Sequence, residues 1–549
     1  MVLVLKLNFK EVDKMIKNIL LSFSVVLCLV GCNSLDQSPE YQHTDDTFWL
    51  SVENSDLLVN MAYSQMYGAN KLWDDEALGD NLIQGRNNND IRLIRNGMAD
   101  PSLNHFASEW KGAYEGIKTC NKYLENVDRV PGMAADFKAQ RTSEIRFIRA
   151  FLLFRLTNFY GDIPFFIRDI TLEESKKISR TPKKDVLNFI HNELDEIMDI
   201  LPATPSAKGR ISKGAAVAFQ TRAYLYENNW DMVIKYADRL INQQPTYGSY
   251  ELFPNYETLF YSENKYNKEV ILDYGYSSSK RSWGEMYSRV PMSQGAFLNH
   301  AAPIQELVDV YWTVNGLPIS KDQEYDPSRP YENRDPRLSC SVVYDGFNWV
   351  DEKGNSHIIR TSYGSGTKDS WEGINSNNSI TGYYIRKYFD PRSREKLNNY
   401  QQENNIIMFR YADVLLMYAE AMFESGKMSQ SVWDITIKKL RERAGFSASS
   451  ALEYPSSLSA DEMRELIRNE RRIELVFEGL RYYDIIRWKE GKKYLDGPAH
   501  GARFANNNTS YILLDNRKFN EGKDYLWSVP RDEMHKNPNL KPNNPGYAE

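Results

Sequence analysis

The sequence predicts a mostly α-helical protein in which tetratricopeptide-like helical hairpins are combined with an irregular, loop-rich region that contains short strands. Three observations predict this class. Apolar residues recur three and four positions apart in several long segments. Two neighbouring segments have the spacing of a repeat hairpin. Between about residues 250 and 402, glycine, asparagine, serine and aspartate are frequent, and pieces such as "EVILDY" and "SCSVVYD" have β character.

The helical pattern is clearest in the N-terminal half of the chain. One of its segments ends at "YGDIP", where Gly161 and Pro164 break a helix. The predicted N-terminal helices are residues 55–67, 110–127, 137–159, 183–200, 213–226 and 231–241. Helices are predicted to resume at residues 410–424, 431–443 and 461–488.

The segments 213–226 and 231–241 predict a tetratricopeptide-like hairpin. Such a unit interlocks small and large residues between two helices. Val233 stands where the unit usually has alanine, so the repeat is degenerate. The residues that follow the repeat spacing are Tyr224, Trp230, Val233, Ala237, Leu240 and Pro245.

An apolar run near the N-terminus has the size of the h-region of an export signal. It covers twelve residues, 19–30, whereas a helix that spans a bilayer needs about 20. The run ends in "LVGC", residues 29–32, which resembles the bacterial lipobox, whose cysteine is acylated and becomes the first mature residue. We therefore expect residues 1–31 to be a lipoprotein signal peptide and Cys32 to be lipidated. Because Glu11 and Asp13 suit a basic n-region poorly, we expect Met15 to be the true start.

Composition restricts the possible partners. A formal net charge of −6 argues against nucleic-acid binding, which needs a basic face. Beyond the signal no apolar run reaches spanning length, so we expect a soluble body that only its lipid holds to a membrane. Cys120 and Cys340 are expected to be two buried thiols. Aromatic residues make up 13% of the chain, which suits both a carbohydrate binder and a well-packed helical core.

Motifs for catalysis and metal binding are missing from the sequence. The seven histidines show no H-E-x-x-H spacing, and there is no C-x-x-C. The stretch "YGSGT" at residues 363–367 is not a G-x-S-x-G nucleophile elbow. We therefore predict no catalytic residue, no metal site and no cofactor. A glycosidase needs only two carboxylates that meet in three dimensions, so that alternative stays open.

The segment 467–488, "IRNERRIELVFEGLRYYDIIRW", combines an apolar stripe with charges of both signs. We interpret the charges as an ion-pair network that holds a long helix in the protein body, because opposite charges on one helix neutralise each other. Glu474 and Glu478 repel each other unless arginines lie between them. The stripe consists of Ile473, Val476, Phe477 and Leu480, and the charged residues are Glu470, Arg471, Arg472, Glu474, Glu478 and Arg481.

This segment resembles the signature helix of the SusD/RagB family, the lipoproteins of starch-utilisation-like systems. Seven further segments are similar to family motifs and occur in the family's order. They are residues 47–68, 144–166, 209–226, 332–338, 381–391, 409–421 and 440–445, and the chain closes on a similar ending at 525–547. That ending departs from the family pattern at Ser528-Val529 and Lys541-Pro542.

The resemblance implies a SusD-like fold with four tetratricopeptide-like units and an irregular region that carries the ligand surface. We divide the mature chain into an N-terminal helical part, residues 32–245, and a C-terminal SusD/RagB part, residues 246–549, within one globular body. The resemblance also implies a lipid-anchored protein on the outer face of a Gram-negative outer membrane. There it would lie as a lid over a TonB-dependent SusC-like transporter and bind glycans, or occasionally peptides, without cleaving them.

In the family, ligand contacts usually come from variable aromatic residues in loops after the first helix and in the irregular middle. A sugar site needs exposed stacking surfaces with a few polar groups. Trp73 and Trp283 are the expected stacking platforms, because their polar and glycine neighbours indicate loops. The full set of candidate glycan-binding residues is Trp73, Asp80, Asn81, Arg86, Trp283, Tyr287, Arg289 and Trp371.

The sequence thus predicts a cell-surface glycan-binding lipoprotein that delivers oligo- or polysaccharide to a SusC-like transporter. Two alternatives differ in what they bind or do. A tetratricopeptide scaffold would bind peptides or protein segments and show no affinity for sugars. A surface glycosidase would release reducing ends.

The lipobox predicts that Cys32→Ala abolishes the membrane anchor. Because acylation requires the cysteine thiol, the variant should accumulate as an unprocessed or soluble periplasmic product. Cell fractionation with radiolabelled palmitate measures both outcomes, and Cys28→Ala is the matched control that should keep its label and its location. A Cys32→Ala protein that remains acylated at the cell surface would contradict the prediction.

Overall fold

The computed structural model describes residues 14, 45–84, 89–351, 353–374, 376–391, 401–504 and 510–548. The expected start Met15, the predicted lipidation site Cys32 and the candidate ligand residue Arg86 lie outside the described residues, as does the predicted signal peptide apart from residue 14. No helix within the described ranges combines the length and the apolar composition that crossing a membrane requires.

Helices supply most of the regular structure, which confirms the predicted mostly α-helical class. The helices are α1 (Asp45–Phe48), α2 (Val52–Met66), α3 (Ala69–Ala77), α4 (Asp90–Arg95), α5 (Asn104–Asn126), α6 (Ala135–Tyr160), α7 (Leu172–Ser175), α8 (Lys183–Met198), α9 (Lys213–Tyr226), α10 (Trp230–Ile241), α11 (Gln305–Asp309), α12 (Arg337–Ser341), α13 (Tyr411–Glu424), α14 (Gln430–Ile435), α15 (Ile437–Ala444), α16 (Ser449–Leu452), α17 (Ala460–Glu474), α18 (Arg481–Arg487), α19 (Gly491–Tyr494) and α20 (Arg531–Lys536).

The strands are short and form two-stranded antiparallel pairs. The strands are β1 (Leu82–Gln84), β2 (Ile163–Pro164), β3 (Arg180–Thr181), β4 (Val270–Tyr274), β5 (Ala301–Pro303), β6 (Val342–Val343), β7 (Asn348–Val350), β8 (Ser356–Ile358), β9 (Tyr384–Ile385), β10 (Ile406–Arg410), β11 (Gly497–His500) and β12 (Leu513–Arg517). The pairs are β1–β5, β2–β3, β4–β10, β6–β9, β7–β8 and β11–β12. Among the described residues the pairs do not merge into a larger sheet. The β7–β8 pair is a local hairpin, whereas β1–β5, β4–β10 and β6–β9 join segments that are far apart in the sequence.

The hairpin of α9 and α10 matches the predicted repeat unit closely. The side chain of Asn229 caps α10 by accepting a hydrogen bond from the amide of Met232. Val233, Ala237 and Leu240 are buried. The unit therefore interlocks as its spacing predicts, with valine in place of the usual alanine.

Two segments that were each predicted to be one continuous helix are interrupted, so both predictions of continuity are wrong. The helix predicted for residues 461–488 ends at Glu474 and resumes at Arg481, because Phe477 and Gly479 adopt positive φ angles of 62° and 73°. A Cβ at position 479 would lie 2.8 Å from the hydroxyl of Tyr67, so the turn needs glycine for space as well as for conformation. The helix predicted for residues 431–443 is likewise split at Thr436, which has φ −121° and ψ −94°.

The turn after α17 brings Glu478 beside Glu474 in a buried ion-pair network. Arg410 lies between the two carboxylates, 2.7 Å from an oxygen of each, and also contacts Glu269 at 2.7 Å. Glu474 further pairs with Arg337 and Arg443. Burial by itself would raise the pKa of Glu474, but the three arginines hold it below its ordinary value. The predicted structural role of these charges is confirmed.

Other buried ion pairs join the N-terminal helices to the C-terminal part of the chain. Asp80 contacts Arg472 and Arg481, at 3.0 and 2.7 Å. Arg222 on α9 contacts Asp413 on α13 at 2.6 Å. These ion pairs therefore connect residues before and after residue 245, which is the predicted boundary between the two parts of the chain.

We expect Arg410→Met to lower the free energy of unfolding by about 3–5 kcal/mol, because it leaves three buried carboxylates short of a counter-charge. Urea unfolding followed by circular dichroism measures the loss. Arg464→Met is the matched control: Arg464 is 33% exposed and pairs with Glu424 and Asp461, so its loss should cost about 0–1 kcal/mol. Equal losses in the two variants would contradict a central role for Arg410.

Candidate functional site

Trp73 lies in the core, so the expectation that it is an exposed loop platform is wrong. It belongs to helix α3 and is 1% exposed. Its ring packs edge-on against Tyr388 with centroids 6.1 Å apart, and the guanidinium of Arg289 lies 4.5 Å from the ring centroid. Polar neighbours in the sequence indicated a loop, but Asp75 and Glu76 are themselves buried in hydrogen bonds.

Trp283 does lie in an irregular segment, but its ring is also buried. Only 4% of the residue is exposed, and its indole N–H donates to the carbonyl of Asn404 at 2.9 Å. Its backbone pairs with Gln402, and the ring contacts Tyr276 and Tyr388. The expectation of an exposed stacking surface at Trp283 is therefore wrong.

Asp80 and Asn81 are structural, which corrects their expected role as hydroxyl partners of a sugar. They are 3% and 1% exposed. Asn81 donates to Glu76 at 2.7 Å and accepts from Arg472 at 2.8 Å. Asp80 is held by Arg472 and Arg481. Neither side chain has a polar group left for a ligand at the surface, because both serve to attach α17 and α18 to the N-terminal helices.

The two sequence regions in which a ligand was expected do meet in the structure. Strand β1 pairs with β5 in the register Gln84 to Ala301 and Leu82 to Pro303. Arg289 is 5% exposed and donates to the carbonyl of Glu285 and to Ser288 Oγ at 3.1 Å. Burial lowers the pKa of Arg289 to about 10. The charges of Glu285, Asp74 and Tyr287 act in the opposite direction and raise this pKa. Arg289 thus acts beneath the surface, where it fixes the segment that carries Tyr287.

Two aromatic pairs are open to solvent near this junction. Tyr287 stacks on Phe297 with ring centroids 4.9 Å apart and planes 16° apart, and Phe297 is 54% exposed. Trp371 packs edge-on against Tyr363 at 6.1 Å, and Tyr363 is 47% exposed. Tyr287 and Trp371 are half-buried. Partly exposed rings of this kind offer flat apolar faces beside polar backbone.

Hydrogen bonds donated by backbone amides, one to a side-chain carboxylate and one to a carbonyl, join the segments that carry the two pairs. The amide of Ser293 donates to Asp369 at 3.0 Å, and the amide of Asn299 donates to the carbonyl of Asn377 at 2.9 Å. Trp371 is fixed by its indole N–H, which donates to the carbonyl of Ile380 at 3.1 Å. We call the set Tyr287, Phe297, Tyr363 and Trp371 the aromatic surface.

Sequence reasoning found half of the aromatic surface and missed the more exposed half. Tyr287 and Trp371 were among the candidates, whereas Phe297 and Tyr363 were not. Both missed residues stand in short segments rich in small or polar residues, "SQGAFLNH" and "TSYGSGT". Tyr363 stands between Ser362 and Gly364, and Phe297 lies two residues after Gly295, so turn-forming small residues near an aromatic residue are the signal that the two positions share.

The described side chains offer little reactive chemistry. Among the described residues no group of three or more His, Cys, Asp and Glu side chains is arranged to hold a metal ion. Cys120 is buried and Cys340 half-buried, and both are free thiols. Burial raises the pKa of each thiol to about 12, so neither forms a nucleophilic thiolate near neutral pH. The four residues of the aromatic surface present aromatic rings.

The α9–α10 hairpin and the partly exposed rings of the aromatic surface are the features by which the chain can be compared with known proteins. A family model described as "SusD family" matches residues 268–547, and one described as "Starch-binding associating with outer membrane" matches residues 35–225. The chain belongs to the SusD family, as its motifs predicted.

Individual relatives extend the likeness to nearly the whole chain. SusD-like protein P2 of Formosa agariphila is 26% identical, over 95% of this chain and 98% of its own length. The starch-binding protein SusD of Bacteroides thetaiotaomicron is 24% identical, over 83% and 82% of the two chains. The crystal structure of a SusD-like carbohydrate binding protein from Bacteroides fragilis matches with a TM-score of 0.80 and 28% identity, over 90% of this chain and all of that one.

We expect Trp283→Ala to lower the free energy of unfolding by about 3–5 kcal/mol, because it empties a buried aromatic site. Phe297→Ala is the control for an exposed ring, and losing its stack on Tyr287 should cost less than about 1.5 kcal/mol. Urea unfolding of the two variants measures the difference. If Trp283→Ala were as stable as wild type, its ring would not be a core residue.

Proposed function

We propose that this protein binds a glycan at the aromatic surface. The observation that carries the proposal is the pair of exposed rings, Phe297 and Tyr363, each backed by a more buried aromatic partner. Sugar rings present C–H faces that pack on aromatic planes, and the aromatic partners restrict ring motion before binding. Membership of the SusD family supports the same ligand class, since one relative is named a starch-binding protein.

We further propose that the protein is a lipid-anchored component of the outer membrane, faces the cell exterior and passes its glycan to a SusC-like transporter. The lipobox at residues 29–32 supports the anchor. The family description for residues 35–225 supports the association with the outer membrane. The proposed transfer of the glycan to a SusC-like transporter is supported by the family resemblance.

Binding without cleavage is part of the proposal. Asp369, the carboxylate that joins the two loops of the aromatic surface, is 2% exposed and accepts a hydrogen bond from the amide of Ser293. Burial raises the pKa of Asp369. The hydrogen bonds from Ser293 and Met292 lower this pKa but do not cancel the effect of burial. This carboxylate thus has a structural partner and lies below the surface on which a glycosidic bond would rest. For a binding protein we expect incubation with polysaccharide to leave the polysaccharide's chain length unchanged, whereas steady release of oligosaccharides would support the glycosidase alternative.

We expect Phe297→Ala and Tyr363→Ala each to weaken glycan binding roughly 5- to 150-fold, by analogy with the 1–3 kcal/mol that one stacking platform contributes to the binding of a base. Affinity electrophoresis against a panel of neutral and anionic polysaccharides that includes starch identifies the ligand, and titration calorimetry then measures the affinity of each variant. Melting temperatures of the same samples should stay close to wild type, because both rings are about half exposed.

Trp230→Ala is the matched control for removing an aromatic ring. Trp230 is half-buried at the start of α10, outside the two segments that form the aromatic surface. Its removal should leave glycan affinity unchanged. If Trp230→Ala weakened binding while Phe297→Ala and Tyr363→Ala did not, the binding site would lie on the helical hairpin, as the peptide-scaffold alternative requires.

A further inference from the structure

A second opening in the structure is lined by none of the four residues of the aromatic surface. Its volume is about 300 Å³, at the lower end of the range of about 300–1,000 Å³ that small-molecule pockets have. It is formed by the loop 203–212 that precedes α9, by residues 248–250 and by the segment 266–273, which includes most of β4. We call this opening the β4 cleft. Several of its lining residues are exposed, so a ligand can enter from solvent; they are Thr204, Ala207, Lys208, Ser249 and Lys268.

The β4 cleft is lined by a buried carboxylate that has no counter-ion among the described residues. Asp273 is 5% exposed and belongs to β4, and no described lysine or arginine forms an ion pair with it. Its Oδ2 accepts a hydrogen bond from the side-chain amide of Asn405 at 2.7 Å. Burial raises the pKa of Asp273 to about 6. The hydrogen bond from Asn405 and the charge of Lys265 lower this pKa but do not cancel the effect of burial. The carboxylate is therefore ionised at neutral pH, and an ionised group with so little exposure needs hydrogen-bond donors.

The other oxygen of Asp273 lies toward Gly209, on the loop that precedes α9. Gly209 has a positive φ of 77°, and a Cβ at this position would lie 3.9 Å from Asp273 Oδ1 and 3.7 Å from the ring of Tyr266. All three residues line the cleft. A carboxylate oxygen has two lone pairs, so Asp273 Oδ1 can accept a hydrogen bond from a ligand. Asn405 is already engaged, because its Oδ1 accepts from the amide of Tyr276 at 2.9 Å. Asp273 is therefore the buried acceptor that the cleft offers.

Two half-buried tyrosines and a lysine complete the chemistry of the β4 cleft. The ring of Tyr266 lies beside Gly209, and the ring of Tyr250 lies beside Gly248. Tyr266 has a positive φ of 58°, an unusual backbone conformation for a tyrosine and one that is found at ligand sites. Lys208 is exposed and forms no ion pair with a described residue, so its ammonium group can donate to a ligand. The cleft thus combines a buried acceptor, a mobile donor and two aromatic rings.

We propose that the β4 cleft binds a neutral mono- or disaccharide, with Asp273 accepting hydrogen bonds from its hydroxyl groups. A sugar supplies the donors that this carboxylate needs, and its C–H faces pack on tyrosine rings. A negatively charged ligand would be repelled by Asp273. A positively charged ligand would be repelled by Lys208 and Lys265, whose charges already act on Asp273. The volume of about 300 Å³ limits the ligand to a short sugar. This site is separate from the aromatic surface and adds a second sugar site to the one proposed above.

The β4 cleft is tested in the double variant Phe297→Ala/Tyr363→Ala, which lacks the exposed rings of the aromatic surface. The probes are glucose, galactose, mannose, xylose, maltose and cellobiose, and saturation-transfer NMR identifies those that bind. We expect at least one of these sugars to bind saturably, with the same dissociation constant in the double variant as in the wild-type protein. Titration calorimetry with that sugar should give one site per chain in the double variant.

Two further changes, each made in the double variant, locate this binding. Asp273→Asn should weaken it at least about tenfold, because it removes the charge from the acceptor. Gly209→Asn should also weaken it, since asparagine tolerates a positive φ and its side chain would occupy the space in front of Asp273. Asp309→Asn is the matched control: Asp309 also accepts from a side-chain amide at 2.7 Å, that of Gln305, and burial also raises its pKa, but it does not line the cleft. This control should bind unchanged.

Three results would overturn the proposal. The first is that no sugar of the panel binds saturably to the wild-type protein, a measurement that needs no variant to fold. The second is binding to wild type that the double variant loses, which would assign the sugar to the aromatic surface alone. The third is binding that Asp273→Asn and Gly209→Asn both leave unchanged. Failure of the aromatic surface is a different result, namely polysaccharide binding that Phe297→Ala and Tyr363→Ala do not weaken.

Discussion

Burial of three carboxylates around the guanidinium of Arg410 is the interaction on which the rest of the structure depends. Glu269 precedes β4, Glu474 ends α17 and Glu478 lies in the turn that follows, so one side chain joins the irregular region to the helical body. Taking so many charges out of water is unfavourable unless every partner is present. Arg337 and Arg443 also pair with Glu474, and Lys387 pairs with Glu478. The geometry of this network fixes where α17 stops and where the chain turns back toward the N-terminal helices.

Most of the helical scaffold could be predicted because its signals are local. Residues 213–226 form the predicted helix without any change of boundary, and α10 begins one residue earlier than expected. The prediction failed at residues 475–480 because the signal there is not local. The apolar stripe continues through Phe477, yet the need to place Glu478 against Arg410 and Gly479 against Tyr67 ends the helix. Tertiary contacts override helical periodicity at such a position.

The candidate site was less predictable, because a tryptophan looks the same in a sequence whether it is buried or exposed. Trp73 has charged neighbours that normally indicate the surface, but Asp75 forms an ion pair with Arg155 inside the protein, at 2.6 Å. In this chain charged residues are so often buried in pairs that polarity is a poor guide to exposure. For Phe297 and Tyr363 the available criterion is a different one, an aromatic residue within two positions of a glycine in a turn-rich segment. The high aromatic content thus serves the core and the surface alike, and the sequence alone does not separate these two uses.

The ion pairs of Asp80 also constrain the order in which the protein can fold. Its partners, Arg472 and Arg481, lie roughly 400 residues further along the chain. During synthesis the N-terminal helices emerge long before these arginines, so Asp80 stays unpaired until the chain is nearly complete. Closing so long a loop costs conformational entropy, and contacts of this range slow folding. The N-terminal part can therefore complete its ion pairs only after the last part of the chain has been synthesised. Incomplete chains remain partly folded and are exposed to proteolysis.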